Sequence, residues 1–364
     1  MDHRTRVLAA VGATVALFLA VQLGALALVE PFHDADRQAV EDPENPTNSL
    51  VYFAVILVAT GFMLATFRYD LEWVIRGLVI GVSVFLAWFV LTELVPPVVT
   101  AGPINVVAVG AALGVGVALL LYPEWYVIDL TGVLMGAGAA ALFGISFGLL
   151  PAILLLSALA IYDAISVYRT EHMLDLAEGV MDLKIPVVLV VPTTLSYSYL
   201  ADGSEATVED DQGDEEQTPE GPDSSRADEG PTDGMPTAGS EPDSPTSSEA
   251  DSQPGPDSAD AEKPADAGRD ALFIGLGDAI IPTILVASAA YFLEAGALDV
   301  PGIALNVPAL GAILGTLAGL LVLMGMVLKG RPHAGLPLLN GGAIGGYLLG
   351  ALASGVSIAT ALGL

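Results

Sequence analysis

Cysteine is absent from this chain of 364 residues, which removes disulfides, thiolate nucleophiles and Cys-ligated metal sites together. Cations are scarce as well: 12 Lys and Arg stand against 42 Asp and Glu, for a formal net charge of -30. So acidic a chain is not expected to take a nucleic-acid partner. Histidine is limited to His3, His33, His172 and His333, all placed by the hydropathy pattern in tails or loops.

Apolar residues are abundant instead. They make up 53% of the chain, mean hydropathy is +0.65, and several runs approach the roughly 20 residues that cross a bilayer as a helix. A β-barrel would need short alternating segments. The expectation is therefore an all-α polytopic membrane protein with nine spans, at about 6–29, 49–67, 73–95, 103–122, 126–147, 148–169, 271–293, 303–328 and 335–361. The first is too long, and too poorly matched to a cleavage site, to be only a signal peptide. With every histidine outside the spans, a serine–histidine dyad and an H-E-x-x-H zinc site are both excluded as intramembrane chemistry. His172 and His333 read as solvated loop side chains.

The acid is concentrated. Roughly half of the Asp and Glu residues lie between Ala201 and Asp270, among Pro, Gly, Ser and Thr, a composition that buries too little apolar surface to offset its ordering entropy. This divides the chain into a membrane region at 1–200 with spans one to six, a disordered acidic loop at 201–270, and a membrane region at 271–364 with spans seven to nine. An acid-heavy soluble surface also suits a salt-rich cytoplasm, and a halophilic archaeal source is expected.

Basic residues set the orientation. Arg4, Arg6, Arg68, Arg76, Lys329 and Arg331 fall on one side of a nine-span layout, the long connection adds Arg169, Lys184, Arg226, Lys263 and Arg269, and the other side keeps only Arg37. By the positive-inside rule the N-terminus and the acidic loop are cytoplasmic, the C-terminus is external, and the chain is a multi-pass protein of the plasma membrane.

Two carboxylates remain inside apolar spans, Asp163 in span six and Asp278 in span seven. An ionisable group at membrane depth costs on the order of 3 kcal/mol by insertion scales and needs an explanation. Asp163 lies six residues before Arg169, roughly 9 Å from the inner boundary at the helical rise. Asp278 lies seven residues past Ala271, roughly 10 Å in if span seven starts there. The two therefore match in depth on neighbouring antiparallel spans. Like charges a few ångströms apart cannot both ionise easily, so such a pair shares a proton. One carboxylate can then remove a proton from water while its protonated partner donates to a scissile carbonyl oxygen.

Tyr162-Asp163 and Gly275-Leu276-Gly277-Asp278 resemble, in order, spacing and span assignment, the two signature motifs of the presenilin and signal peptide peptidase family of GxGD intramembrane aspartyl proteases. The similarity extends over most of the chain, including the hydrophilic loop between spans six and seven. The family's third motif, Pro-Ala-Leu followed by proline, is matched in part by Ala334-Gly335-Leu336-Pro337, where Ala334 and Gly335 replace Pro and Ala. The literal Pro308-Ala309-Leu310 lies at the external end of span eight and reads as chance. The resemblance implies a presenilin-like helical fold and peptide hydrolysis within transmembrane segments. It assigns Asp163 and Asp278 as the catalytic pair and Tyr162, Gly275, Leu276, Gly277, Ala334, Gly335, Leu336 and Pro337 as substrate-positioning residues. Partners are the lipid bilayer and single-span protein substrates; no metal or organic cofactor is implied, and obligate subunits are not indicated.

The residues alone leave a second class open, an ion-coupled transporter using the same aspartates as a proton or sodium site, although no inverted repeat is evident. A catalytically silent membrane scaffold is a third. Gly275 and Gly277 would let a substrate backbone approach Asp278, whereas Gly132 and Gly136, Gly311, Gly315 and Gly319, and Gly341 and Gly345 show small-residue packing spacing. Pro186-Val-Val-Leu-Val-Val-Pro192 is too short to span and reads either as an edge strand for an unwound substrate or as an interfacial loop. On the first alternative, Leu189→Pro should suppress cleavage while leaving the protein inserted; turnover unchanged in a detergent assay would count against it. Glu93 and Asp129, near span ends, are expected to snorkel to water, and Asp70 and Glu72 read as surface charge.

Overall fold

In the computed structural model, which describes residues 3–69, 71–102, 104–169, 186–192, 271–328 and 334–364, the apolar runs become nine helices of at least 16 residues. They are α1 (His3–Asp34), α2 (Thr47–Arg68), α3 (Glu72–Leu94), α4 (Val106–Leu121), α5 (Trp125–Ser146), α6 (Leu149–Arg169), α7 (Leu276–Phe292), α8 (Val307–Val327) and α9 (Gly335–Ala353), followed by a short α10 (Ile358–Ala361). Seven are long and apolar enough to cross a membrane; α4 and α7 are shorter apolar helices. The acidic stretch Ala201–Asp270, His172 and His333 lie outside the described residues.

Short antiparallel ribbons connect some of these elements. β1 (Thr100–Ala101) pairs with β2 (Ile104–Asn105), and β5 (Ala297–Leu298) with β6 (Leu305–Asn306). Each ribbon ends on an asparagine that caps the next helix: Asn105 accepts from Ala108 N–H at 3.3 Å and Asn306 from Ala309 N–H at 2.8 Å, satisfying an otherwise orphaned donor. The Asn306 amide also donates to the carbonyls of Ala289 and Leu293 at the end of α7. One side chain thus joins the end of α7 to the start of α8.

The third ribbon corrects the sequence reading. Ala271–Gly275 is not the first part of span seven but a strand, β4, paired antiparallel with β3 (Val188–Pro192) in the register Val188↔Gly275, Val190↔Phe273 and Pro192↔Ala271. Leu272, Phe273 and Ile274 are strand-formers as readily as membrane-helix residues, and a hydropathy window does not separate the two states. α7 accordingly begins at Leu276, and Asp278 stands in its first turn. The depth calculated from a helix starting at Ala271 loses its basis.

α7 is the hub of the bundle. Its residues Pro282 to Ala289 are all buried, and α1, α5, α6, α8 and α9 pack around it. By contrast, α2 presents Leu50, Val51, Val55 and Val58, and α4 presents Leu113, Val117, Leu120 and Leu121, to the outside, as suits helices whose surroundings are as apolar as their own side chains. Seven hydroxyls are satisfied within their own helices: Thr14, Thr60, Thr66, Ser83, Thr92, Thr283 and Thr316 each donate to the carbonyl four residues back, a local solution where water is excluded.

α8 and α9 form the closest helix pair. A Cβ built on Gly311, Gly315 or Gly319 would meet the carbonyl of Gly346, Gly342 or Leu338, and one on Gly350 would meet that of Val307. The α8 glycines pack as their spacing implies. On α9, however, the packing pair is Gly342 and Gly346, whereas Gly341 and Gly345 have nothing within 4 Å. The hairpin runs antiparallel, so Pro308 sits at the opposite end from Gly335, in keeping with the view that Pro308-Ala309-Leu310 is unrelated to the aspartates.

Three side chains expected in water or loops are instead engaged. Glu93 is bound through Oε1 by Arg37 Nη2 at 2.7 Å and Nε at 3.2 Å, with the guanidinium 4.4 Å from the Phe89 ring centroid. His33 belongs to the last turn of α1, with Nδ1 2.7 Å from the Tyr291 hydroxyl. Asp129 is buried, and its Oδ1 accepts the Val190 N–H at 2.7 Å. Snorkelling is wrong for Asp129 because a backbone donor, distant in sequence, reaches it.

Candidate active site

Three chain segments meet at the two membrane carboxylates. Asp163, 9% exposed, projects from the C-terminal half of α6. Its Oδ2 accepts the backbone N–H of Leu336 at 3.0 Å. That donor is one of the first-turn N–H groups of α9 that no helical carbonyl can satisfy, and it is followed by Pro337, which has no N–H to leave unpaired.

Asp278 approaches the same turn from α7. A Cβ on Gly335, the residue before Leu336, would lie 3.3 Å from Asp278 Oδ2, and one on Gly275 would lie 3.6 Å from it. Leu336 is therefore bonded to Asp163 while the backbone of its neighbour Gly335 lies beside Asp278, which brings both carboxylates to consecutive residues at the start of α9. Both sit at helix N-termini, Asp278 within the first turn of α7 and Asp163 bonded to the first turn of α9, where the partial positive ends of two helix dipoles favour negative charge. The Leu336 donor and this second N-terminus were not legible in the sequence.

The remaining predicted positions divide. Ala334 is buried and stands at the N-cap of α9, while Leu336 packs against the core cluster of α6, α7 and α9. Leu276 donates its N–H to the Val187 carbonyl at 2.8 Å, which ties the start of α7 to the β3–β4 ribbon. Gly277 has nothing within 4 Å of a built Cβ and borders an apolar cavity of about 290 Å³ between α3, α5, the Pro186–Val187 turn and α7. Tyr162 lies elsewhere: its ring meets Phe53 of α2 edge-on, with centroids 6.1 Å apart.

Of the two readings left open for residues 186–192, edge strand or interfacial loop, the structure has a strand whose central N–H is already engaged. On one side β3 pairs with β4, and on the other its Val190 N–H is taken by Asp129. Leu189→Pro still bears on the site, because Leu189 is buried opposite Ile274 and proline cannot donate within a ladder. The loss would act by loosening the ribbon that leads to Asp278.

Comparison with known proteins gives a consistent result. The family model described as signal-peptide peptidase, presenilin aspartyl protease matches residues 15–356. Two solved structures of a presenilin family intramembrane aspartate protease, in C222 and P2 crystals, are each 30% identical to this chain and each cover 94% of it. They are covered over 99% and 97% of their own length, with TM-scores of 0.56 and 0.54. A comparison with curated proteins finds no match.

Proposed function

This chain belongs to the signal-peptide peptidase and presenilin family of aspartyl proteases, and from that premise we propose that Asp163 and Asp278 are the pair with which it hydrolyses transmembrane segments. The observation that carries the assignment is the convergence of both carboxylates on consecutive residues at the start of α9, Gly335 and Leu336. In this reading the pair holds one proton in common. The ionised member takes a proton from a water molecule as its oxygen attacks the scissile carbonyl carbon, and the protonated member donates to the carbonyl oxygen. Collapse of the resulting diol breaks the C–N bond as the amine leaves with a proton.

Substrate access follows from the glycines. With no side chains at Gly275 and Gly277, an unwound segment can bring its backbone against Asp278. Gly335 likewise puts no side chain beside Asp278. Gly277→Val is a direct test, because the built Cβ meets nothing and the variant should fold. We expect kcat/KM for a transmembrane substrate to fall on the order of tenfold, by obstruction of approach. Unchanged kcat/KM would remove Gly277 from the approach path.

The same reading takes the nine long helices as nine crossings, with α4 and α7 completed by the ribbons that precede them. It places the N-terminus and the acidic loop on the cytoplasmic side. Substrates are then single-span segments with an external N-terminus, cut nearer their cytoplasmic end. Purified protein in detergent, given a labelled single-span substrate, should release two fragments. Absence of cleavage together with proton or sodium flux in liposomes would favour the transport alternative instead.

A further inference from the structure

A third carboxylate lies within this bundle, and the proposed chemistry does not use it. Asp129 is the fifth residue of α5, 6% exposed, and its Oδ1 accepts the Val190 N–H at 2.7 Å. A buried carboxylate in an apolar helix is costly. What it grips gives it a purpose.

Val190 is the central residue of β3. Although it stands opposite Phe273 in the register, its N–H is directed to α5 and not to β4, as alternate residues of an antiparallel pair require. Asp129 therefore holds the ribbon by the edge that faces away from β4. Along the same face of α5, at positions three and seven residues on, Gly132 and Gly136 provide the next two seats. A Cβ on Gly132 would lie 3.2 Å from Leu189 Cδ2 and 3.6 Å from Leu276 Cδ1, and one on Gly136 would lie 3.4 Å from Leu276 Cδ1 and 3.3 Å from Ile280 Cγ1. One strip of α5 thus supports β3 and the start of α7 in turn.

The strip leads to the proposed dyad. The Val187 carbonyl, three residues before Val190, accepts the Leu276 N–H at 2.8 Å, and Leu276 is two residues from Asp278. β4 enters α7 directly at Gly275, so the place of the ribbon on α5 determines where the first turn of α7 begins.

We propose that Asp129 is a positioning residue for the intramembrane protease: by accepting the Val190 N–H it seats the β3–β4 ribbon on α5, and through the Val187–Leu276 hydrogen bond it sets the placement of Asp278 relative to Asp163. This rests on the aspartate-pair reading given above. The side chain touches no reacting atom, so its contribution is geometric. What it must supply is an acceptor oxygen at that point, which an amide also carries.

Three variants of the full-length protein separate the possibilities: Asp129→Asn, which keeps an acceptor of nearly the same shape; Asp129→Glu, which keeps the carboxylate but displaces it by one methylene; and Asp129→Ala, which removes it. Each is measured for kcat and KM on a labelled single-span substrate, normalised to folded protein, and for backbone amide exchange by mass spectrometry in peptides covering 186–192 and 271–278. We expect Asp129→Ala to lower kcat on the order of 10- to 100-fold, as a misplaced catalytic group does, with KM within about twofold of the wild type. Exchange in both peptides should quicken. Asp129→Glu should shift both readouts the same way to a smaller extent, which keeps the test alive if the alanine variant does not fold, and Asp129→Asn should restore both. Wild-type kcat in the alanine or glutamate variant, an asparagine variant as impaired as alanine, or unaltered exchange would each overturn the proposal. If the wild-type protein cleaves nothing but exchange still quickens in the variants, the seating of the ribbon stands and the protease reading fails.

Discussion

Asp278→Asn will lower cleavage of a transmembrane substrate by at least about 100-fold, and Asp163→Asn will do the same, since general acid–base groups contribute on the order of 100- to 10,000-fold each. The substitution is nearly isosteric, and neither site depends on the carboxylate for its fold. Asp278 stands in the first turn of α7 with open space beside it at Gly277, and Asp163 receives one backbone donor from Leu336, which an amide oxygen can equally accept. Neither variant should therefore lose membrane insertion or thermal stability. What an amide cannot do is take a proton from water or give one to a carbonyl oxygen. Fragment release, measured on a labelled single-span substrate with each variant purified and checked for folding, decides the matter. Turnover within tenfold of the wild type in either variant would show that the altered residue is not part of the chemistry.

The second large effect concerns the α8–α9 hairpin. Gly315→Leu is expected to destabilise the protein by about 3 kcal/mol or more, the upper range for forcing atoms into a well-packed interface, because even a Cβ at that position meets the Gly342 carbonyl of the opposing helix. Backbone cannot step aside as a flexible side chain would. Separation of the helices would also displace the start of α9, where Leu336 donates to Asp163 and Gly335 borders Asp278, so activity should fall with stability. A matched control stands one residue from the packing position on the partner helix. Gly341→Leu projects into open space and should leave the midpoint of thermal unfolding in detergent within a few degrees of the wild type. Equal effects of the two substitutions would mean that the hairpin does not pack as described.

The contrast between Gly341 and Gly342 also marks the limit of what the sequence discloses. Gly341 and Gly345 have the same spacing as Gly342 and Gly346, so the small-residue pattern fits either pair; only the rotation of α9 against α8 selects the second. The aspartates were legible because a charge within an apolar run is a local signal that needs no tertiary context. The partial Pro-Ala-Leu match located the third segment at Gly335 to Pro337. Hidden were the partners that come from distant parts of the chain, such as the Leu336 N–H beside Asp163 and the Val190 N–H on Asp129. The strand at Ala271–Gly275 was hidden for another reason. Its residues are as hydrophobic as the helix they precede, and Gly275, where strand gives way to helix, carries no local mark of that change.

Gly335 invites comparison with Gly275, because a Cβ built on either would lie within 4 Å of Asp278 Oδ2. Where the family motif carries alanine at the position of Gly335, this chain omits the methyl group. A methyl there would stand 3.3 Å from Asp278 Oδ2 and 3.4 Å from Leu323 Cδ2, tighter than ordinary carbon contact. The departure from the motif therefore matches the local packing of α8, which sets Leu323 against this turn.

The central claim is that Asp163 and Asp278 act as one unit, and a double-mutant comparison addresses it most directly. Initial rates of fragment release are measured for Asp163→Asn, Asp278→Asn and the double variant, each folded and at equal concentration. Residues that share a step are strongly non-additive, so the account predicts that either single substitution costs as much as both together. Losses that multiply, with each single variant retaining substantial activity and the double variant falling by the product, would mean that the two carboxylates work separately.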